Sequence, residues 1–248
     1  MWFFIALIMG LSISSATLPL WASEADAMQI LRQSDAARGG GLPGIKWEVG
    51  LVAIEGGKTI EQGLTVQAKS NDSLVEFFHP PKIRGQKILT VERNMWFINP
   101  GLRRPTPISA RQRLLGQAAN GDVAATNYAE DYQAKLIGEE TIDGEVCYRL
   151  ELTAREARVT YDRIDYWVSK SKMVGVKADF YTVSGRIFKS ALFEYGNEIN
   201  HQGKSIPFVS KMIIFDKVNT EDKTTLAYSN IQVASLPPQT FNLQFLTR

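Results

Sequence analysis

Two histidines, one cysteine and a cluster of arginines are the residues through which this 248-residue chain could do chemistry. His79 stands beside Pro80-Pro81 and His201 beside Gln202-Gly203. Neither has a partner at metal-ligand spacing, so both read as solvated loop histidines. Cys147 lies in Val146-Cys147-Tyr148-Arg149-Leu150, where alternation sets it opposite the apolar face or at a sheet edge. A nucleophilic thiol needs a base, and the sequence points to none, so the cysteine reads as structural. Glu139-Glu140 and Glu130-Asp131 read as solvated turns, and GxSxG, P-loop and dinucleotide fingerprints are absent. The expectation is therefore no enzyme, no metal and no cofactor. A buried cluster of perturbed carboxylates in a cleft would revive catalysis.

The arginines are the stronger signal. From Arg93 to Asn120 there are five arginines and no acidic residue, so a chain of net charge +2 carries −3 outside this segment. Near-neutral overall charge gives no reason to expect nucleic acid. The segment reads MWFINPGLRRPTPISARQRLLG: a strand at Met95–Ile98, a break at Asn99-Pro100-Gly101, and an extended stretch held by Pro105 and Pro107. A short helix is expected over Ser109–Gly116, making 99–131 a lid between two runs of strands. Arg103, Arg104, Arg111 and Arg113 are then either the solvated face of that helix or groups at a cavity mouth. Guanidinium groups at a mouth suit phosphate or carboxylate.

The elements that must position these residues follow from periodicity. Residues 1–22 carry no charge, with an apolar run at Trp2–Leu11 and small residues at Ala22-Ser23 or Ala25-Asp26-Ala27. They read as an export signal. An uncleaved anchor is the alternative, opposed by the breaks at Gly10 and Pro19. Glu24–Arg38 is an amphipathic helix, N-capped by Ser23, burying Ala27, Ile30 and Leu31 and stopped by Gly39-Gly40-Gly41. From Ile45 the period changes to two. About five strands precede the lid, and Gly121–Tyr132 is a second short helix or compact loop. Further strands at 134–142, 145–153, 163–168, 174–181, 186–195, 206–215 and 224–231 follow. Phe241, Leu243 and Phe245 are expected to fasten the tail. With a lone cysteine there is no internal disulfide, so residues 23–248 form one domain held by its core. Several strands are apolar on both faces, as at Phe77-Phe78, Trp96-Phe97 and Ile213-Ile214-Phe215. An ordinary packed β core would produce this, and so would a curved sheet closed by helices over an apolar cavity.

The N-terminal helix, the run MWFINPGLRRPTPISARQRLLG, the segment GDVAATNYAEDY and the strand IDYWVSK together resemble the LolA-like superfamily of outer-membrane lipoprotein-sorting proteins, over roughly residues 24–248. The resemblance implies a mainly β (α+β) fold: a single curved antiparallel sheet of about eleven strands, forming an unclosed half-barrel whose hollow is covered by short helices. It implies a soluble periplasmic carrier that takes acyl chains of lipids or lipoproteins toward the outer membrane, with an inner-membrane transporter and an outer-membrane acceptor as partners. The alternative is a regulatory or scaffolding domain that binds an envelope protein on the same fold. Alternation gives the expected cavity lining as Trp47, Leu64, Phe78, Met95, Phe97, Leu114, Leu115, Phe180, Phe193 and Ile214. A one-residue slip would turn any of them outward.

Overall fold

A computed structural model describes residues 24–102, 104–124 and 127–247. The expected export signal, the Ser23 cap and Arg103 lie outside the described residues. The first element is helix α1, Glu24–Asp35, continued by a 3-10 turn at Ala36–Arg38. Ala27, Met28, Ile30, Leu31, Ser34 and Ala37 are buried, the stripe expected of a one-sided helix. It stops at Gly39, whose φ of 98° is a left-handed helix end that a side chain would resist.

Six strands follow: β1 (Ile45–Glu55), β2 (Lys58–Lys69), β3 (Asp72–His79), β4 (Lys87–Val91), β5 (Asn94–Ile98) and β6 (Thr106–Ile108). The lid segment contains a small hairpin, β7 (Arg113–Leu115) and β8 (Ala118–Ala119), then helices α2 (Asn120–Ala124) and α3 (Tyr128–Asp131). The second run is β9 (Tyr132–Ile142), β10 (Glu145–Ala154), β11 (Arg163–Ser169), β12 (Gly175–Tyr181), β13 (Ile187–His201), β14 (Lys204–Asp216) and β15 (Lys223–Val233). A last short helix, α4 (Leu243–Leu246), ends the chain. Tight hairpins sit where turn residues demanded them; at Asp143-Gly144 both φ values are positive, 49° and 83°, as a twisted two-residue turn requires.

Among the described residues thirteen strands form one antiparallel sheet in the order β6-β5-β4-β3-β2-β1-β15-β14-β13-β12-β11-β10-β9. The expected unclosed antiparallel architecture is correct, with two more strands than the roughly eleven anticipated. Each run is a simple meander, and the two are joined where β1 pairs with β15, from Ile45 opposite Val233 to Ile54 opposite Lys223. The free edges are β6 and β9, and the lid is the chain that crosses between them.

The main core lies on the concave face, where α1 and the lid pack on the sheet. The doubly apolar strands have two separate causes. Beneath β3–β5, Leu74, Leu89 and Ile98 form a second, convex-face cluster with Leu236 and Phe241 of the C-terminal tail. On β11, Trp167 is buried on the convex side under the side chains of Lys177 and Arg149. Phe241 and Leu243 fasten the tail as expected, whereas Phe245 stays 52% exposed: the short α4 turns it off the sheet.

Candidate functional site

The lid is not the helix expected over Ser109–Gly116. A turn at 110–112 leads into the β7–β8 hairpin, and Gln112 accepts the Ser109 N–H while Asn120 donates to the Ser109 carbonyl. The reason is Gly116, which occupies the hairpin turn at φ 51° and presses on the sheet floor. A Cβ built there would lie 2.3 Å from Thr224 Oγ1 and 2.6 Å from Ala53 Cβ. The next amide, Gln117 N–H, donates to that same Thr224 hydroxyl at 2.7 Å. A hairpin can send its tip to the floor, while a helix of eight residues would hold its backbone a side chain's length away. The stretch Gly121–Tyr132, expected as a second short helix or compact loop, holds two short helices, α2 and α3.

Carboxylates tie the 109–124 segment to its surroundings. Arg111 meets both oxygens of Asp162 at 2.6 and 2.9 Å and also donates to the Val159 carbonyl. Arg113 pairs with Glu55 at 2.7 Å. Asp122 accepts the Ala119 N–H and the Tyr161 hydroxyl; its burial pushes the carboxyl above the usual range. Lys189 donates to the Gln117 carbonyl at 2.5 Å, and burial lowers its ammonium. Arg111 therefore ties this segment to the β10–β11 connection and Arg113 ties it to β1, where a solvated helix face and a cavity mouth were the two expected settings. Arg104 is exposed on the loop before β6.

Between the lid hairpin and the β2–β6 strands lies an open groove of about 510 Å³. Phe77, Ile83, Ile88, Phe97, Ile108 and Leu114 supply its apolar surface. Gln62, Gln86, Gln112, Arg113 and Asn120 supply the polar one. Of the expected lining residues, the groove brings together Phe97 and Leu114, with Arg113 beside them. Met95 lies instead in a separate space of about 40 Å³, with Ala110 and Val159. Trp47, Leu64, Leu115, Phe180, Phe193 and Ile214 are in the packed concave core. Trp47 meets Phe208 edge-on at 6.2 Å, and Phe180 stacks on Tyr161 at 4.1 Å.

Phe78 is a correction. It is 41% exposed, and Phe77 takes the inward position. Gly63 pairs with His79 but Leu64 pairs with Phe77, so Phe78 is the extra residue of a β-bulge, and its ring lies over Gly63. Sequence reasoning also missed Gln62, Ile83, Ile88 and Ile108. Gln62 keeps the period-two register of Leu64, Val66 and Ala68, which places it on the concave face, and its Oε1 is buried without a hydrogen-bond partner.

A buried polar knot sits where α1 ends. Asp35 accepts the Ala129 N–H at 2.8 Å, fixing α3 to α1, and burial raises its carboxyl to about 7. The Arg38 guanidinium lies over the Tyr128 ring at 4.1 Å. Among the described residues no group of His, Cys, Asp or Glu could hold a metal ion. Cys147 is buried, its thiol raised by burial and directed at the Glu145 carbonyl, as suits a structural cysteine. Among the described residues no helix is long and apolar enough to cross a membrane.

An unclosed antiparallel sheet covered by short helices is also the architecture of several solved structures. A LolA superfamily protein from Nitrosomonas europaea is 33% identical, with a TM-score of 0.79 over 88% of this chain and 98% of that one. The chain belongs to the LolA superfamily. A family described only as "Uncharacterized protein" matches residues 69–248. A DUF1329 family protein from Desulfovibrio piger shares the fold at 22% identity and a TM-score of 0.75, covering 90% of this chain and 98% of that one. A domain described as that of an outer membrane lipoprotein-sorting protein, from Vibrio parahaemolyticus, does so at 19% identity and 0.76, covering 91% and 100%. Among curated proteins none matches.

Proposed function

We propose that this protein is a periplasmic carrier that holds an acyl chain of a lipid or lipoprotein in the groove between β2–β6 and the lid hairpin. The observation that carries the reading is the groove itself: an apolar surface from Phe77, Ile88, Phe97, Ile108 and Leu114 with a polar side, open to solvent, on a fold shared with lipoprotein-sorting proteins. Its volume of about 510 Å³ lies within the range of small-molecule pockets. Each buried methylene is worth about 0.8 kcal/mol, so eight would contribute about 6 kcal/mol, a dissociation constant of some tens of micromolar. Such affinity permits release as well as capture. A longer chain would need the lid to lift, extending the groove toward Leu115, Met95 and the packed residues Leu64, Trp47, Phe180, Phe193 and Ile214. An inner-membrane transporter as donor and an outer-membrane acceptor complete the proposed route.

Native mass spectrometry of protein purified from the periplasm, with extraction of co-purifying lipid, tests this directly. A bound lipid or acylated peptide at one per chain is expected, and Phe97→Asp or Leu114→Asp should abolish displacement of a fluorescent fatty-acid probe. A clean unliganded mass with no probe binding would refute the carrier and favour a partner-binding domain, a reading supported by the tightly packed concave core.

A further inference from the structure

The charge of this chain is concentrated around the groove. From Phe77 to Gly121 there are eight Lys and Arg against one acid, Glu92, so this stretch carries +7 and the rest of the chain −5. Four of the cations are neutralised by carboxylates outside the stretch: Lys87 by Glu76, Arg93 by Asp131, Arg111 by Asp162 and Arg113 by Glu55. Lys82, Arg84 and Arg104 are exposed and, among the described residues, have no ion pair.

These three cations stand on two neighbouring connections, β3–β4 and β5–β6, which the meander sends to the same rim of the sheet. The two connections touch: a Cβ at Gly85 would lie 3.7 Å from Pro100 Cγ. Both are pinned. Arg84 Nε donates to the Phe78 carbonyl at 3.2 Å, and the Leu102 and Gly101 amides donate to the Asn99 carbonyl and side chain at 2.9 and 3.0 Å. Prolines 80, 81, 100 and 105 limit their freedom further. The rim also displays two large apolar side chains to solvent, Phe78 at 41% and Leu102 at 56% exposure. The groove reaches the same place, because Ile83 and Gln86 of the β3–β4 connection line it.

We infer that this rim, Phe78–Arg84 with Asn99–Leu102 and Arg104, docks the protein on an anionic lipid bilayer, setting the groove mouth against the membrane surface. The inference rests on the carrier reading for the groove but not for the docking. Apolar side chains among unneutralised cations, Phe78 at the end of β3 and Leu102 on the pinned β5–β6 connection, match the headgroup–acyl boundary of such a surface, where each Lys or Arg gains from anionic lipid and each apolar side chain from burial. A protein partner added along the adjacent sheet edge is poorly served there, since β6 is three residues long and contains Pro107.

The experiment is co-sedimentation of the mature protein with vesicles of phosphatidylglycerol and phosphatidylethanolamine, against vesicles of phosphatidylcholine alone, read alongside fatty-acid probe binding. Binding to the anionic vesicles that weakens with salt is expected. The triple variant Lys82→Gln, Arg84→Gln, Arg104→Gln should lose about 100-fold in vesicle affinity, and Leu102→Asp about 10-fold. None of the four lines the groove, so probe affinity should be unchanged. No vesicle binding by the wild type, or equal binding by the triple variant, overturns the docking surface while leaving the carrier intact. Rim-dependent vesicle binding without any probe binding supports the docking surface and removes the carrier.

Discussion

Gly116→Ala is the sharpest test of the lid as a floor-anchored hairpin. The new methyl would sit 2.3 Å from Thr224 Oγ1 and 2.6 Å from Ala53 Cβ, both in buried residues whose backbones belong to β15 and β1. Neither can retreat without disturbing the pairing of Ala53 with Thr224. The hairpin must rise instead. A left-handed φ costs an alanine about 1 kcal/mol, and losing the Gln117 N–H bond to Thr224 in a buried setting costs about 1–3 kcal/mol more. The closed lid should therefore lose about 2–4 kcal/mol, which raises the open population by roughly 30- to 1,000-fold. Hydrogen exchange of the Gln117 amide should accelerate by that factor, and a fatty-acid probe should bind faster. Thr224→Val removes only the hydrogen bond and should show about half the effect. Unchanged exchange at Gln117 in Gly116→Ala, with global stability within about 0.5 kcal/mol of wild type, would refute this account of the lid.

Leu64→Ala should cost about 2–5 kcal/mol in urea unfolding, and Phe78→Ala less than about 1, because the bulge gives the core position to Phe77. Arg111→Ala removes a half-exposed bidentate pair and should cost about 1 kcal/mol while increasing proteolysis within 109–124. Asp35 binds its proton more tightly folded, at about 7, than an ordinary aspartate at 3.8, so the native state holds more protons between those values. Stability should therefore fall as pH rises from 4 to 7 and level off above, and Asp35→Asn should flatten that slope in thermal unfolding measured across the range.

The two runs of antiparallel strands, the hairpins and the one-sided helix were legible because each depends on neighbours in sequence. Asp143-Gly144 makes a tight turn wherever it falls between two alternating runs, and Ala27, Ile30 and Leu31 share a face in any helix. The lid was misread for the opposite reason. Ser109–Gly116 has acceptable helix formers, and what overrides them is Thr224, more than a hundred positions later, which takes the Gln117 amide. Phe78 failed because a bulge in β3 answers the absence of a side chain at Gly63, a pairing no single-strand pattern reveals. The arginines were read correctly as a cluster, but their partners, Asp162 in the β10–β11 connection and Glu55 at the end of β1, are about fifty or more positions away, so the division between tied and unneutralised cations emerged only from the fold.

The pairing of β1 with β15 has a kinetic consequence. Ile45 and Val233 become neighbours across about 190 residues of chain, so the seam that unites the two meanders is among the most non-local contacts the sequence can make. Each meander can zip locally, hairpin by hairpin, yet neither can complete the concave core without the other. The loop-closure entropy of that seam must be met before its contacts compensate, which places folding among slow, millisecond-to-second β topologies. A chain emerging N-terminus first cannot complete the sheet until β15, the last of the described strands, has arrived, so until then β1 is paired to β2 alone and its other edge stays open.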